Sequence, residues 1–309
     1  MRGADDASAD SISVLDRTDG GKTIRNFDVT TGRALQSVIQ HSLEIIDLSL
    51  SQYGPSSERK LFFIDSNHDL YLTPISKVSK FKLCTQVDSA CWNDQSEQLV
   101  AIADGKLVTW SYPGIAFVDR SLLSFTMTSK DGTDYMKMPQ ISSFNGSRVN
   151  VRRADGALLT ASVSPYPSML YEIVSTTRWE EAIQLCRFVK SKELWTCLAG
   201  MALNARHLNT AEIALAAIEQ VDKLKFITYV KSIPSEAGRN AELALYRRNI
   251  DEAESLLLQA TPPLIYRAIK MNIRLFRWAK ALDIAIKNKT HVDTVLAYRA
   301  QYLEVCGRV

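Results

Sequence analysis

The most restrictive feature of this sequence is a short motif that occurs four times in its second half, a bulky apolar residue three positions before an alanine. The copies are Trp179 with Ala182, Leu208 with Ala211, Ile250 with Ala253, and Trp278 with Ala281; successive copies begin 29, 42 and 28 residues apart. Repeats of this length are typical of stacked helical hairpins. The alanine lets a neighbouring helix approach closely, and the bulky residue fills the space beside it.

Helical periodicity surrounds each copy and predicts a TPR-like α-solenoid over residues 166–309. The predicted helices cover residues 178–190, 193–205, 210–219, 221–231, 237–248, 251–259, 264–276, 277–287 and 291–306, after a first periodic stretch near residue 170. The helix over 237–248 is an additional one, and it explains the 42-residue interval.

Short apolar strands separated by turn signals fill residues 11–165. Residues 23–33 are similar to the end of a WD-type propeller blade, where an aromatic–Asp pair precedes a Thr-Gly turn, and Asp-Gly turns recur at 104–105 and 155–156. The sequence therefore predicts about three blades of an incomplete β-propeller, preceded by a disordered tail over residues 1–10. Because a closed propeller needs about four blades or more, we expect the chain to be the C-terminal part of a longer product.

Composition and charge exclude several classes of protein. The net charge of +3 argues against general nucleic-acid binding, although residues 167–309 hold 20 of the 37 lysines and arginines and only 15 of the 34 aspartates and glutamates. No apolar run approaches the roughly 20 residues of a membrane span, and the first ten residues do not resemble a signal peptide. Five cysteines without a repeated spacing indicate free, buried thiols in a reducing compartment. These features predict a cytosolic protein without direct membrane insertion.

The sequence contains only weak matches to nucleotide-binding, metal-binding or catalytic motifs. Residues 19–23 are similar to the end of a phosphate-binding P-loop, but Asp16 stands where that loop needs a glycine, so a β-turn is the preferred interpretation. The four histidines lack metal-ligand spacing, and His41 fits a buried structural position in a blade. We therefore predict a protein that is not an enzyme, with no catalytic residue, cofactor or metal, while a triad assembled from distant residues stays open.

A cluster of seven cations, here called the basic ridge, occupies 23 residues of the helical half with only Asp283 opposing it. Its members are Arg267, Lys270, Arg274, Arg277, Lys280, Lys287 and Lys289. The first three share one helix face at offsets 0, 3 and 7. One interpretation is an ordinary solvated face; the other is a docking surface for an acidic partner.

Three longer stretches carry a resemblance to a known family. Residues 15–33, 87–114 and 290–304 resemble the eighty-kilodalton WD-repeat subunits of intraflagellar transport complex B. That resemblance implies two propellers followed by a helical region, of which this sequence would hold the later blades and the helices. It also implies a non-catalytic scaffold that contacts other subunits of the complex and is needed for cilium assembly and ciliary transport. The implied location is the cilium, its base and the axoneme, with a cytoplasmic pool; self-association stays undetermined.

Two other kinds of protein join a propeller to a helical array and remain alternatives at this stage. One is a subunit of a vesicle coat, which would also act as a scaffold. The other is a substrate adaptor of a ubiquitin ligase, which belongs to a different functional class.

Overall fold

The computed structural model describes residues 11–55, 58–77, 79–132, 135 and 138–307, so the predicted disordered tail over residues 1–10 lies outside the described residues. The chain forms two compact units, Met1–Met201 and Ala202–Val309. The first unit contains the strands and the first helices, and the second contains helices.

The described residues of the first unit form fourteen strands in four antiparallel sheets. The strands are β1 (Ser11–Asp16), β2 (Thr23–Asp28), β3 (Ala34–Gln40), β4 (Ile45–Leu50), β5 (Lys60–Asp65), β6 (Leu70–Pro74), β7 (Phe81–Cys84), β8 (Val87–Trp92), β9 (Leu99–Ala103), β10 (Lys106–Trp110), β11 (Met127–Asp131), β12 (Gln140–Asn145), β13 (Arg148–Arg152) and β14 (Leu158–Ser162). Two 3₁₀ helices, Pro113–Phe117 and Arg120–Thr126, connect β10 to β11.

The four sheets are arranged as successive propeller blades. Their strand orders are β1-β2-β3, β4-β5-β6-β7, β8-β9-β10-β11 and β12-β13-β14, each following the chain. The first strand of each sheet contacts the first strand of the next. The predicted class, blades of a partial propeller followed by a helical array, is confirmed.

Blade packing explains why some strands are apolar on both faces. Every residue of β9 is buried, because its sheet lies between two neighbours. One side of this sheet packs against Phe62 and Leu72, and the other against Phe144 and Val149. Between two sheets, the indole N–H of Trp92 donates to the carbonyl of Ser49 at 3.1 Å.

Ten α-helices follow the last strand in the described part of the chain. They are α1 (Tyr166–Ser175), α2 (Trp179–Val189), α3 (Lys192–Asn204), α4 (Leu208–Ala217), α5 (Val221–Ser232), α6 (Glu236–Tyr246), α7 (Ile250–Leu258), α8 (Ile265–Arg274), α9 (Trp278–Lys287) and α10 (Val292–Val305). None of these helices combines the length and the apolar character needed to span a membrane.

The first helices pack directly on the blades within the first unit. The hydroxyl of Ser168 on α1 lies 3.0 Å from that of Ser96 and accepts from the side-chain amide of Gln98 at 2.9 Å. Gly200 on α3 lets the helix approach the first 3₁₀ helix, since an added Cβ would lie 2.8 Å from Ile115 Cδ1. These contacts explain why the first unit extends beyond the last strand.

The four motif copies occupy equivalent places in the fold. Their bulky residues are the first residues of α2, α4, α7 and α9, and their alanines have no exposed surface: Ala182, Ala211, Ala253 and Ala281. Each helix thus begins with a large side chain and buries a small one on the next turn, as the repeat predicts.

The turn before each motif copy is also repeated, a feature that sequence analysis missed. Two positions before the bulky residue the backbone is left-handed, with φ between 56° and 60°, at Thr177, Arg206, Arg248 and Phe276. The next amide donates to a carbonyl five residues earlier, as in the 2.9 Å bond from Asn249 to Ala244. This is the Schellman ending of a helix, which glycine usually marks. None of the four positions is a glycine, so the signal is absent from the sequence.

Candidate functional site

A cavity of about 740 Å³ lies in the second unit among α5, α6, α7 and α8. Its apolar surface comes from these four helices and from the residue that follows α8: Tyr229, Ala241, Leu245, Ile250, Leu257, Tyr266, Met271 and Leu275. Three of them are well exposed to solvent, Tyr229 by 48%, Tyr266 by 47% and Leu275 by 39%. The second unit therefore offers a concave apolar surface that no described part of the chain covers.

Four cations line the same cavity. Arg267, Lys270 and Arg274 come from one face of α8, while Ala268 and Ile269 on the opposite face are fully buried. Helical geometry accounts for this arrangement, because residues three and four apart lie on one side of a helix. Arg248, from the turn between α6 and α7, adds a fourth positive charge that sequence analysis missed.

Among the described residues that line the cavity, the single carboxylate is that of Glu242 on α6. Its Oε1 lies 3.5 Å from the hydroxyl of Tyr229, and it makes no described ion pair with the four cations. Within the described residues, no carboxylate forms an ion pair with Arg248, Arg267, Lys270 or Arg274. The ammonium of Lys270 instead lies 6.0 Å from the ring centre of Tyr266. The cavity therefore carries an excess of positive charge.

Gly238 on α6 lies close to one of these cations. An added Cβ at Gly238 would lie 3.0 Å from Ile233 Cγ2 and 3.5 Å from Arg267 Nη1. The guanidinium of Arg267 thus lies close to the backbone of α6, beside the cavity.

Other members of the basic ridge are engaged elsewhere. Arg277 Nη2 lies 3.1 Å and Lys280 Nζ 3.2 Å from Oδ1 of Asp251 at the start of α7. Hydrogen bonds from Arg277 and Lys280 hold the pKa of Asp251 below its usual range. Asp283 is the only carboxylate within the 23 residues of the ridge, and the fold adds Asp251 from the neighbouring helix.

The last two ridge residues lie at the far end of α9. Lys287 is its final residue, and Lys289 is in the left-handed turn that follows; both are exposed and neither lines the cavity. The structure thus divides the basic ridge into three residues at the cavity, two paired with Asp251, and two at the end of α9.

The P-loop-like segment has a different structure. Residues 19–22 lie between β1 and β2, Thr23 begins β2, and the side chain of Asp19 accepts from the amide of Lys22 at 3.0 Å. A phosphate-binding loop leads from a strand into a helix, whereas a strand follows here. The prediction of a turn is confirmed.

The side chain of His41 is buried against the second sheet. Its Nε2 lies 3.0 Å from Oδ2 of Asp65, and its ring contacts Phe63 and Tyr71 edge-on. Burial raises the pKa of Asp65, but hydrogen bonds from His41 and two backbone amides outweigh it and lower the pKa overall. The pair connects the segment before β4 to the end of β5.

The cysteines differ in exposure. Cys186 and Cys197 are buried, Cys84 and Cys91 are half-buried, and Cys306 is exposed. Burial raises the pKa of Cys84 and of Cys186 to about 12. The expectation of buried thiols is therefore wrong for Cys306, which follows a helix that buries only Val295. Among the described residues, no group of three His, Cys, Asp or Glu side chains could hold a metal ion.

Comparison with known proteins covers both parts of the chain. The family model described as the IFT80 second beta-propeller matches residues 5–166, and the IFT80/172/WDR35/WDR19 TPR domain matches residues 194–309. The intraflagellar transport protein 80 homologs of Rattus norvegicus and Mus musculus are each 44% identical over 307 residues, or 97% of this chain. The intraflagellar transport protein 172 homolog of Mus musculus is 23% identical over 292 residues, or 85% of this chain and 15% of its own length. The chain spans only 39% of the length of the two protein 80 homologs.

Proposed function

Because the chain belongs to the intraflagellar transport protein 80 family, we propose that it is a non-catalytic scaffold subunit of intraflagellar transport complex B. It makes the protein–protein contacts that cilium assembly and ciliary transport require. The observation that carries this proposal is the match of a propeller model and a TPR model of this family to successive parts of the chain. Propellers and helical repeats both present extended surfaces to partners.

The proposal includes partners and a location. The partners are other subunits of complex B; nucleic acid is not among them, and the chain does not insert directly into a membrane. The chain acts at the cilium, including its base and axoneme, with a cytoplasmic pool. Residues 11–165 and 166–309 serve as two domains, which would give one chain two sets of contacts.

Part of the basic ridge supports docking of an acidic partner. Arg277 and Lys280 already share the carboxylate of Asp251 within the chain. Arg267, Lys270 and Arg274 have no such carboxylate among the described residues and surround a cavity. Docking is therefore assigned to these three.

Affinity purification of the tagged chain from ciliated cells tests the scaffold role. We expect several transport subunits to co-purify in fixed stoichiometry, because a scaffold has several contacts at once. Ligase components in their place would favour the substrate adaptor, and coat components the vesicle-coat subunit. Nucleotide hydrolysis that disappears on Lys22→Ala would contradict the non-catalytic assignment.

A further inference from the structure

We infer that the cavity among α5, α6, α7 and α8 binds a short acidic peptide segment of a partner protein and takes up apolar side chains of that segment. The inference rests on the proposed scaffold function, since it names the chemistry of one of the scaffold's partners. It goes beyond that function by assigning a bounded site to one kind of ligand.

The apolar part of the argument is the cavity itself. A volume of about 740 Å³ lies within the roughly 300–1,000 Å³ typical of ligand pockets. Leu245, Leu257 and Met271 line it, and the exposed Leu275 and Tyr266 extend the apolar surface to solvent. Burial of this surface by a ligand side chain would be favourable at about 25 cal/mol per Å². A ligand without apolar groups would not obtain this favourable free energy.

The electrostatic part is the imbalance of charge at the rim. In the described part of the chain, four cations face the cavity and Glu242 is the only carboxylate in its lining. The contrast with Arg277 and Lys280 is informative, because among the described residues Asp251 on α7 pairs with those two and no carboxylate pairs with the cavity cations. An acidic ligand would form ion pairs that the chain does not form internally, which is the complementarity seen at specific interfaces.

The combination favours a peptide over other polyanions. A nucleic acid strand or an anionic bilayer needs a continuous basic track or a broad basic face. Here the cations surround an apolar concavity, and a carboxylate lies among them. An acidic chain segment with leucine-type side chains satisfies both parts of the site, as amphipathic segments do in hydrophobic grooves.

Fluorescence anisotropy with synthetic peptides tests the inference on the 309-residue chain. The probe is a labelled peptide of about 14 residues, with two leucines four positions apart among glutamates and alanines. Matched probes replace glutamate by glutamine, glutamate by lysine, or leucine by serine. A labelled single-stranded oligonucleotide and phosphatidylserine vesicles represent the other anions. We expect the glutamate–leucine peptide to bind best and its affinity to fall as salt is added.

Charge reversal with a matched control locates the site. Lys270→Glu with Arg274→Glu should weaken peptide binding by about tenfold or more. Lys287→Glu with Lys289→Glu changes the net charge equally outside the cavity and should leave binding unchanged. The lysine peptide should bind the Lys270→Glu, Arg274→Glu variant better than the wild-type chain, which a merely unfolded variant could not do. Leu275→Asp should reduce binding, whereas Leu296→Asp, at an exposed leucine of α10 outside the cavity, should not.

Several results would overturn the inference. The first is that the glutamate–leucine peptide does not bind, or that the glutamine or serine peptide binds as tightly as it does. The second is that the oligonucleotide or the vesicles bind more tightly than the peptide. The third is that both double variants lose the same amount of peptide affinity. If peptide binding fails while transport subunits still co-purify with the chain, the cavity assignment falls and the scaffold function stands. If the peptide binds but no transport subunit co-purifies, the scaffold function falls.

Discussion

Lys60 and Glu97 form an ion pair in the first unit, with Nζ and Oε1 2.9 Å apart and only 12% and 7% of the two side chains exposed. Burial raises the pKa of Glu97, although Lys60 and the amide of Gly114 act to lower it. Tyr171 on α1 also hydrogen-bonds Glu97, and burial followed by the charge of Glu97 raises the pKa of that tyrosine. The pair thus connects β5, the loop before β9 and the first helix.

Removal of one partner from this pair should destabilise the first unit. Lys60→Met leaves a buried carboxylate without its cation, and loss of one partner of a buried pair costs about 3–5 kcal/mol. Chemical denaturation, followed by circular dichroism, measures the loss. Lys106→Met is the control, because Lys106 and Asp131 are 3.7 Å apart and exposed; it should change stability little. Equal effects of the two substitutions would contradict the prediction.

The left-handed turn before α2 offers a stabilising substitution. Thr177 has φ of 58°, which is unfavourable for a β-branched residue and easy for glycine. Thr177→Gly should therefore raise the free energy of unfolding by about 0.5–1 kcal/mol, since relief of strain exceeds the added entropy of the unfolded chain. Thr176, with φ of −91°, provides the control, and Thr176→Gly should not stabilise. A lower melting temperature for Thr177→Gly would disprove the strain argument.

Asp65 should contribute to the pH dependence of stability. Its folded pKa is lower than the unfolded one, so its stabilisation is present above the unfolded pKa and is lost as pH falls toward the folded pKa. The cost of Asp65→Asn should accordingly be larger near pH ~7 than near pH ~3.5. Urea denaturation of both proteins at the two pH values gives the difference. A cost that grows toward acid would have the wrong sign.

Thiol labelling should distinguish the cysteines. Cys306 is exposed and should react first with iodoacetamide in the native protein. Cys186 and Cys197 should react only after unfolding, because burial excludes the reagent and raises both pKa values, which makes thiolate scarce. Mass spectrometry of the labelled peptides checks the order. Native labelling of Cys197 as fast as Cys306 would show that α3 opens readily.

The sequence predicted the structure best where the spacing of residues along the chain determines which of them are buried. The motif from Trp278 to Ala281 predicted a helix start and a buried alanine, because a helix turns every 3.6 residues wherever it packs. Short apolar strands such as β9 were predicted for a different reason, since a run of apolar residues bounded by turn signals is typical of a buried strand. The exposed strand β11 was missed, since it is held by backbone pairing with β10 and its side chains carry no pattern.

For the candidate site, too, the sequence determined one part and the tertiary structure decided the rest. The common face of Arg267, Lys270 and Arg274 follows from their spacing alone, and the sequence determined it. Tertiary structure decided that Arg248 joins them, and that Asp251 forms ion pairs with Arg277 and Lys280 across 26 and 29 residues of chain. The physical reason is that spacing fixes which side of one helix a charge occupies. The packing of other helices then decides whether that charge meets a carboxylate or a cavity.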